Sequence, residues 1–269
     1  MQGWAKVARA IAGAGALVVA AAAPAQDSAV PRAHGYAALD KLPDWSGVWA
    51  PASLLANSAN GGRGQSQPSL TPKAQQELEA FRAKQAAEGV DQFAQAHCIP
   101  PGLPGIMRQP YPIEFLFSPG RVTIFTETYS QARRIYTDGR ALPEDPEAYF
   151  NGTSVGHWEG DTLVADTVGF SPLVTYIAGV PHGDDMKIHE RIWLDNPDFM
   201  RVEMTITDPG VLAEPYVMQF AYKKQPTWEI REYVCEENNR LTSGEEGGSN
   251  IDLGLDAEPD DPFGPPPED

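Results

Sequence analysis

Between Ile113 and Cys235 apolar and polar side chains alternate in short runs separated by turn-forming residues, the period of extended chain with one face buried. The clearest unit is TSVGHWEGDTLVADTVGF, Thr153 to Phe170. It has two arms around an acidic glycine turn, Glu159-Gly160-Asp161, with Leu163, Ala165 and Thr167 on one face and Val164 and Asp166 on the other. The same parity groups Ile113, Phe115 and Phe117, and sets Val122 and Ile124 against Phe125 and Tyr129 in Arg121 to Tyr129. Ala132 to Thr137 ends at the hairpin-type pair Asp138-Gly139. Met186 to Leu194, Phe199 to Thr207, Tyr216 to Tyr222 and Thr227 to Cys235 follow, punctuated by Asn196-Pro197-Asp198, Asp208-Pro209-Gly210 and Gln225-Pro226. With a first strand in LPDWSGVW, Leu42 to Trp49, this makes about ten short strands in even spacing. The pattern predicts an all-β, antiparallel barrel, because an open sheet would leave edges to protect.

One segment breaks the two-residue period. Thr71 can cap and Pro72 is preset for a first helical turn, and Ala74, Leu78 and Phe81 then recur at helical spacing until Gly89, which predicts one helix over 72–88 with a narrow apolar stripe, lying on the outside of the barrel. The prolines of CIPPGLPGIMRQPYP exclude a helix or central strand and predict an extended strap over His97 to Pro112, fastened by Cys98. The barrel domain therefore spans 42–240, with a small, polar and mobile segment over 26–41 before it. After Leu241 the chain is acidic, rich in Pro and Gly, and expected to be disordered.

The first 25 residues read as a cleaved signal peptide. Lys6 and Arg9 precede an apolar run from Ala10 to Ala23 that is short and rich in small residues, and Ala23-Pro24-Ala25 suits cleavage before Gln26. No other stretch is apolar enough to span a bilayer, which points to a periplasmic or secreted protein. The 20 Lys+Arg against 37 Asp+Glu, a net charge of −17, argue against nucleic acid and anionic lipid surfaces as partners. In an oxidising compartment the isolated pair Cys98 and Cys235 reads as a disulfide; the alternatives are a reactive thiol and a metal site beside His97.

Parity also exposes two carboxylates on apolar faces. Glu190 stands among Met186, Ile188, Ile192 and Leu194, and Glu232 among Trp228, Ile230 and Val234. A carboxylate so placed needs a cationic partner or a raised pKa, so each marks either a structural ion pair or a polar pocket. Arg133, Arg134 and Arg191 are the partners nearest by position. His157, beside Trp158, and His182, in the Gly-rich loop from Gly179 to Asp185, are candidate acids or bases. A metal set of His182, Asp184, Asp185 and His189 is disfavoured, because parity sets His189 opposite Glu190. Nucleophile-elbow, phosphate-loop and dinucleotide signatures are absent, and Asn151-Gly152-Thr153 forms a glycosylation sequon.

The segments LPDWSGVW, RRIYTDGR, TSVGHWEGDTLVADTVGF, PHGDDMKIHERIW and YVCEEN, in this order between Leu42 and Asn239, resemble those of a large family of exported bacterial proteins. The resemblance implies a lipocalin-like, calycin-type barrel, in which the tryptophan of Gly47-Val48-Trp49 plugs the closed end. It marks Asp138, Gly139, Arg140, Trp158, Glu159, Gly160, Asp161, His182, Glu190 and Arg191 as family-type positions. Some proteins of this kind are similar to cofactor-independent lyases of the phenylcoumaran gamma-formaldehyde lyase type, which act on lignin-derived aromatic dimers.

Three functions follow as expectations. In the first, a lyase or isomerase without a cofactor or metal binds a small hydrophobic or aromatic molecule, with Glu190, His182, His157, Arg134 and Tyr136 as the catalytic candidates. Trp158, Trp228, Tyr222, Arg140, Arg191 and Glu232 would then contact the ligand. In the second, the same pocket only binds and carries. In the third, a filled barrel serves a structural role in the envelope. The titratable groups on the inferred inner face favour the first.

Overall fold

The computed structural model describes residues 35–52, 67–89 and 98–235, and the backbone of 241–243 and 249–251. The expected signal peptide, most of the segment before residue 42, His97 and the rest of the acidic tail lie outside these residues.

The organising hairpin forms as its alternation dictates. Strands β5 (Thr153–Glu159) and β6 (Thr162–Val168) pair from Thr153↔Val168 to Glu159↔Thr162, and Gly160 turns between them at φ +60°. The other strands are β1 (Val48–Pro51), β2 (Ile113–Ser118), β3 (Arg121–Thr126), β4 (Gln131–Tyr136), β7 (Lys187–Asn196), β8 (Phe199–Thr207) and β9 (Tyr216–Gln225). They pair in chain order, and β9 returns to β1 to close the barrel. Leu241–Ser243 and Ser249–Ile251 form a separate two-stranded ladder, β10–β11.

Two features depart from the expected antiparallel ten strands. β4 and β5 run parallel, Ile135↔Ser154 and Tyr136↔Val155. The long connection over 137–152 carries the chain back to the end of the barrel from which β4 set out, as a parallel pair requires. The expected strand Thr227 to Cys235 does not form. With β1 paired on both sides, to β2 and β9, the barrel has no edge left to receive another strand. The segment instead lies along the strap, joined to it by the Cys98–Cys235 disulfide.

Inward residues fill the barrel. Met200, Val202, Met204 and Ile206 of β8 are buried, as are Leu163, Ala165 and Thr167 of β6 and Val122 and Ile124 of β3. Trp49 is fully buried and its Nε1 donates to the Trp45 carbonyl at 3.0 Å. The strap adds Leu103, Ile106 and Met107 to the same core, and the Tyr222 hydroxyl donates to the Met107 carbonyl at 2.8 Å.

Helix α1 (Pro72–Glu88) begins as its caps predict, with the Thr71 hydroxyl accepting from the Ala74 N–H. Thr71 is tied to the β8–β9 connection through Val211 and Gly210. Only Ala74 is fully buried, which suits an outer helix. Its Phe81 lies against Gly179, where a Cβ would come within 2.0 Å of the ring, so the loop before β7 approaches the helix through a glycine. Residues Tyr36–Lys41, expected within the mobile segment, form a short 3-10 helix. No helix among the described residues is long and apolar enough to cross a membrane.

Candidate functional site

Glu190 occupies the centre of the inner face of β7, where parity places it, and is fully buried. Its partner is Arg133. Arg133 Nη1 donates to Glu190 Oε1 at 2.9 Å and Nη2 bonds Oε2, completing a two-pronged pair. Arg133 also donates to Ser154 Oγ and Thr167 Oγ1, each at 3.1 Å from Nη2, and these hydroxyls lie 2.8 Å from each other. Register brings the four together, because Ser154 pairs with Thr167 and with Ile135, two residues beyond Arg133, while Glu190 pairs with Ala165. Arg134, the neighbour expected to act in catalysis, points out of the barrel and is exposed.

Tyr222, expected as a ligand contact, is likewise a core residue. Burial first, and then the charge of Glu190, push its phenol far above the usual range. Trp158 packs into an aromatic cluster, 5.1 Å from Trp45 and 5.8 Å from Phe117.

Several other candidates sit on the outer surface. Glu159 accepts from Arg191 at 2.8 Å and lies 3.3 Å from His157 Nε2, and these two contacts, Arg191 first, hold its carboxyl below the usual range. His157 and Arg191 are the cross-strand partners of Val164, an outward residue that is nonetheless buried. Arg140 grips Asp138 with Nε and Nη2 and stacks 3.8 Å over the Tyr136 ring, so these three form one turn unit. The Arg140 hydrogen bond holds Asp138 below its ordinary pKa. That stability is present above the unfolded carboxyl pKa and is lost as pH falls through the depressed one. Arg140→Gln is expected to return the Asp138 titration towards the ordinary carboxylate value in a carboxyl NMR titration; an unmoved midpoint would contradict this cause.

His182 has both ring nitrogens on backbone carbonyls, Nδ1 on Gly183 at 2.8 Å and Nε2 on Ser171 at 2.9 Å. It staples its own loop. His189 pairs outside with Asp166 at 2.8 Å. No group of three or more His, Cys, Asp or Glu among the described residues converges as metal ligands would.

Asp208 was not signalled by the sequence. Its Asp-Pro-Gly context reads as turn chemistry, yet the carboxylate is fully buried. Asp208 Oδ2 accepts from the Tyr176 hydroxyl at 3.0 Å and the Gly183 N–H at 2.9 Å, anchoring the loop before β7 to the connection after β8. Burial, followed by the Asp208 charge, raises the Tyr176 phenol far above its usual range.

Two of the cavities among the described residues open at the surface. The larger, about 690 Å³, runs between the strap and the segment after β9 and is lined by Tyr111, Pro112, Glu127, Trp228, Glu229 and Glu232, among others. Trp228 and Glu232, expected inside the barrel, thus meet in an outer cleft, where Trp228 is 45% exposed. The Arg231 N–H donates to Glu127 Oε2 at 2.9 Å, and Tyr233 packs 5.4 Å from Tyr111 and 5.5 Å from Tyr129. Burial and the neighbouring Tyr233 raise both of those phenols. The smaller cavity, about 360 Å³, is lined by Asp40, Asp44, Trp45, Phe115 and Phe117 among others. Ser46 holds the Asp44 carboxyl below the usual range.

These observations define a closed, mixed β-barrel of nine strands. No family model matches the chain, and no curated protein matches it.

Proposed function

We propose that this is an exported protein that binds a small aromatic molecule in the cleft between the strap and residues 227–235. The observation that carries the reading is Trp228, an indole left 45% exposed in a cleft that Tyr111, Pro110 and Pro112 also line. A cleft of about 690 Å³ is in the range of small-molecule sites, and an indole offers a ring face for stacking. The disulfide that pins this wall suits an oxidising, extracytoplasmic compartment. Binding is preferred to lyase or isomerase turnover because Glu190, the foremost acid/base candidate, is fully buried with both carboxylate oxygens on Arg133. Trp228→Ala is expected to weaken binding of aromatic probes, lignin-type phenolic dimers included, by about tenfold or more, read by calorimetry. Unchanged affinity would move the site away from this cleft, and a full panel without measurable binding at millimolar concentration would end the reading.

A further inference from the structure

Resting on the reading of this cleft as an aromatic ligand site, we infer that its ligand is an organic cation: an aryl-alkyl ammonium whose charged nitrogen lies against Trp228 and the cleft carboxylates. The first support is shape. The cleft is lined by the exposed indole of Trp228 and by Tyr111, and aromatic faces attract ammonium groups through the ring quadrupole.

The second support is the charge of the same wall. Glu127, Glu229 and Glu232 line it, against the single guanidinium of Arg231. The Arg231 backbone N–H engages one oxygen of Glu127 without bringing a countercharge. Among the described residues Glu229 and Glu232, both exposed, have no ion-pair partner. A concave site with one excess sign of charge and low-dielectric walls concentrates ligands of the opposite sign, and the net charge of −17 reinforces that field. An aromatic carboxylate would meet repulsion from three carboxylates, and a neutral ring would leave them solvated but unused. The smaller cavity lacks this combination, since its Trp45 and Phe115 rings are buried.

Three probes of matched ring and chain length separate the possibilities: 2-phenylethylammonium, 2-phenylethanol and 3-phenylpropionate, titrated into the full mature chain at low and high ionic strength. The cation is expected to bind about tenfold or more tightly than the alcohol, the carboxylate least, with the preference shrinking as salt rises. In Glu229→Gln/Glu232→Gln, two exposed positions whose change leaves the fold intact, the cation is expected to lose most of its advantage while the alcohol keeps its affinity. Equal affinity for cation and alcohol, preference for the carboxylate, or an unaltered preference in the double variant would overturn the cation assignment and leave the aromatic cleft standing. If none of the three binds and Trp228 fluorescence does not respond, the cleft reading falls and the cation assignment with it.

Discussion

Glu190→Gln is expected to lower the unfolding free energy by about 3–5 kcal/mol, the usual scale for breaking a buried pair by removing one partner. The loss comes from the guanidinium left behind rather than from the carboxylate removed. Arg133 is 3% exposed and among the described residues its only charge partner is Glu190, so the variant buries an uncompensated cation among Ser154, Thr167 and apolar side chains. Glutamine keeps the volume and one acceptor, which isolates charge from shape. Urea unfolding followed by circular dichroism measures the change, and the pair is confirmed as the cause if Arg133→Met/Glu190→Leu recovers most of the loss. Near-wild-type stability in the single variant would refute a buried, ionised pair. The variant is expected to bind cleft ligands normally while it remains folded, because Glu190 lies inside the barrel and the cleft outside it.

Removing the disulfide is expected to have the next largest effect. Cys98→Ser/Cys235→Ser should lose about 2–5 kcal/mol, since the bridge closes a loop with a sequence separation of 137 and the stabilisation grows with loop length. The same change should weaken ligand binding in the cleft. The segment carrying Trp228, Glu229 and Glu232 has no strand ladder of its own, and besides the bridge its contacts include the Arg231–Glu127 hydrogen bond, the edge-to-face packing of Tyr233 on Tyr111 and its tilted packing on Tyr129. Melting curves with and without reductant, compared with non-reducing mass spectrometry, test the first effect, and calorimetric titration of the aromatic probes tests the second. Full stability after reduction would show that packing alone fixes the segment; full stability with lost binding would assign the bridge to the cleft only.

How far the chain announces itself depends on the range of the physics involved. Alternation is local, so the inward placement of Glu190 beside Ile188 and Ile192, the turn at Gly160 and the capped helix over 72–88 could be taken from the residues alone. Compartment chemistry likewise paired two cysteines far apart in sequence. Strand adjacency is not local. Arg133 and Arg134 differ by one residue and point to opposite faces, and only the register of β4 on β5 and of β6 on β7 sets Arg133, and not Arg134, against Glu190. Closure is global as well. Because β1 takes the place between β9 and β2, the apolar alternation of Thr227 to Cys235 finds no edge to join, and Trp228 and Glu232 become the wall of an outer cleft. The sequence by itself determined which side chains face inward along each strand, through steric alternation of the extended backbone. The tertiary structure alone decided which of them meet, because that depends on strand neighbours brought together by barrel closure.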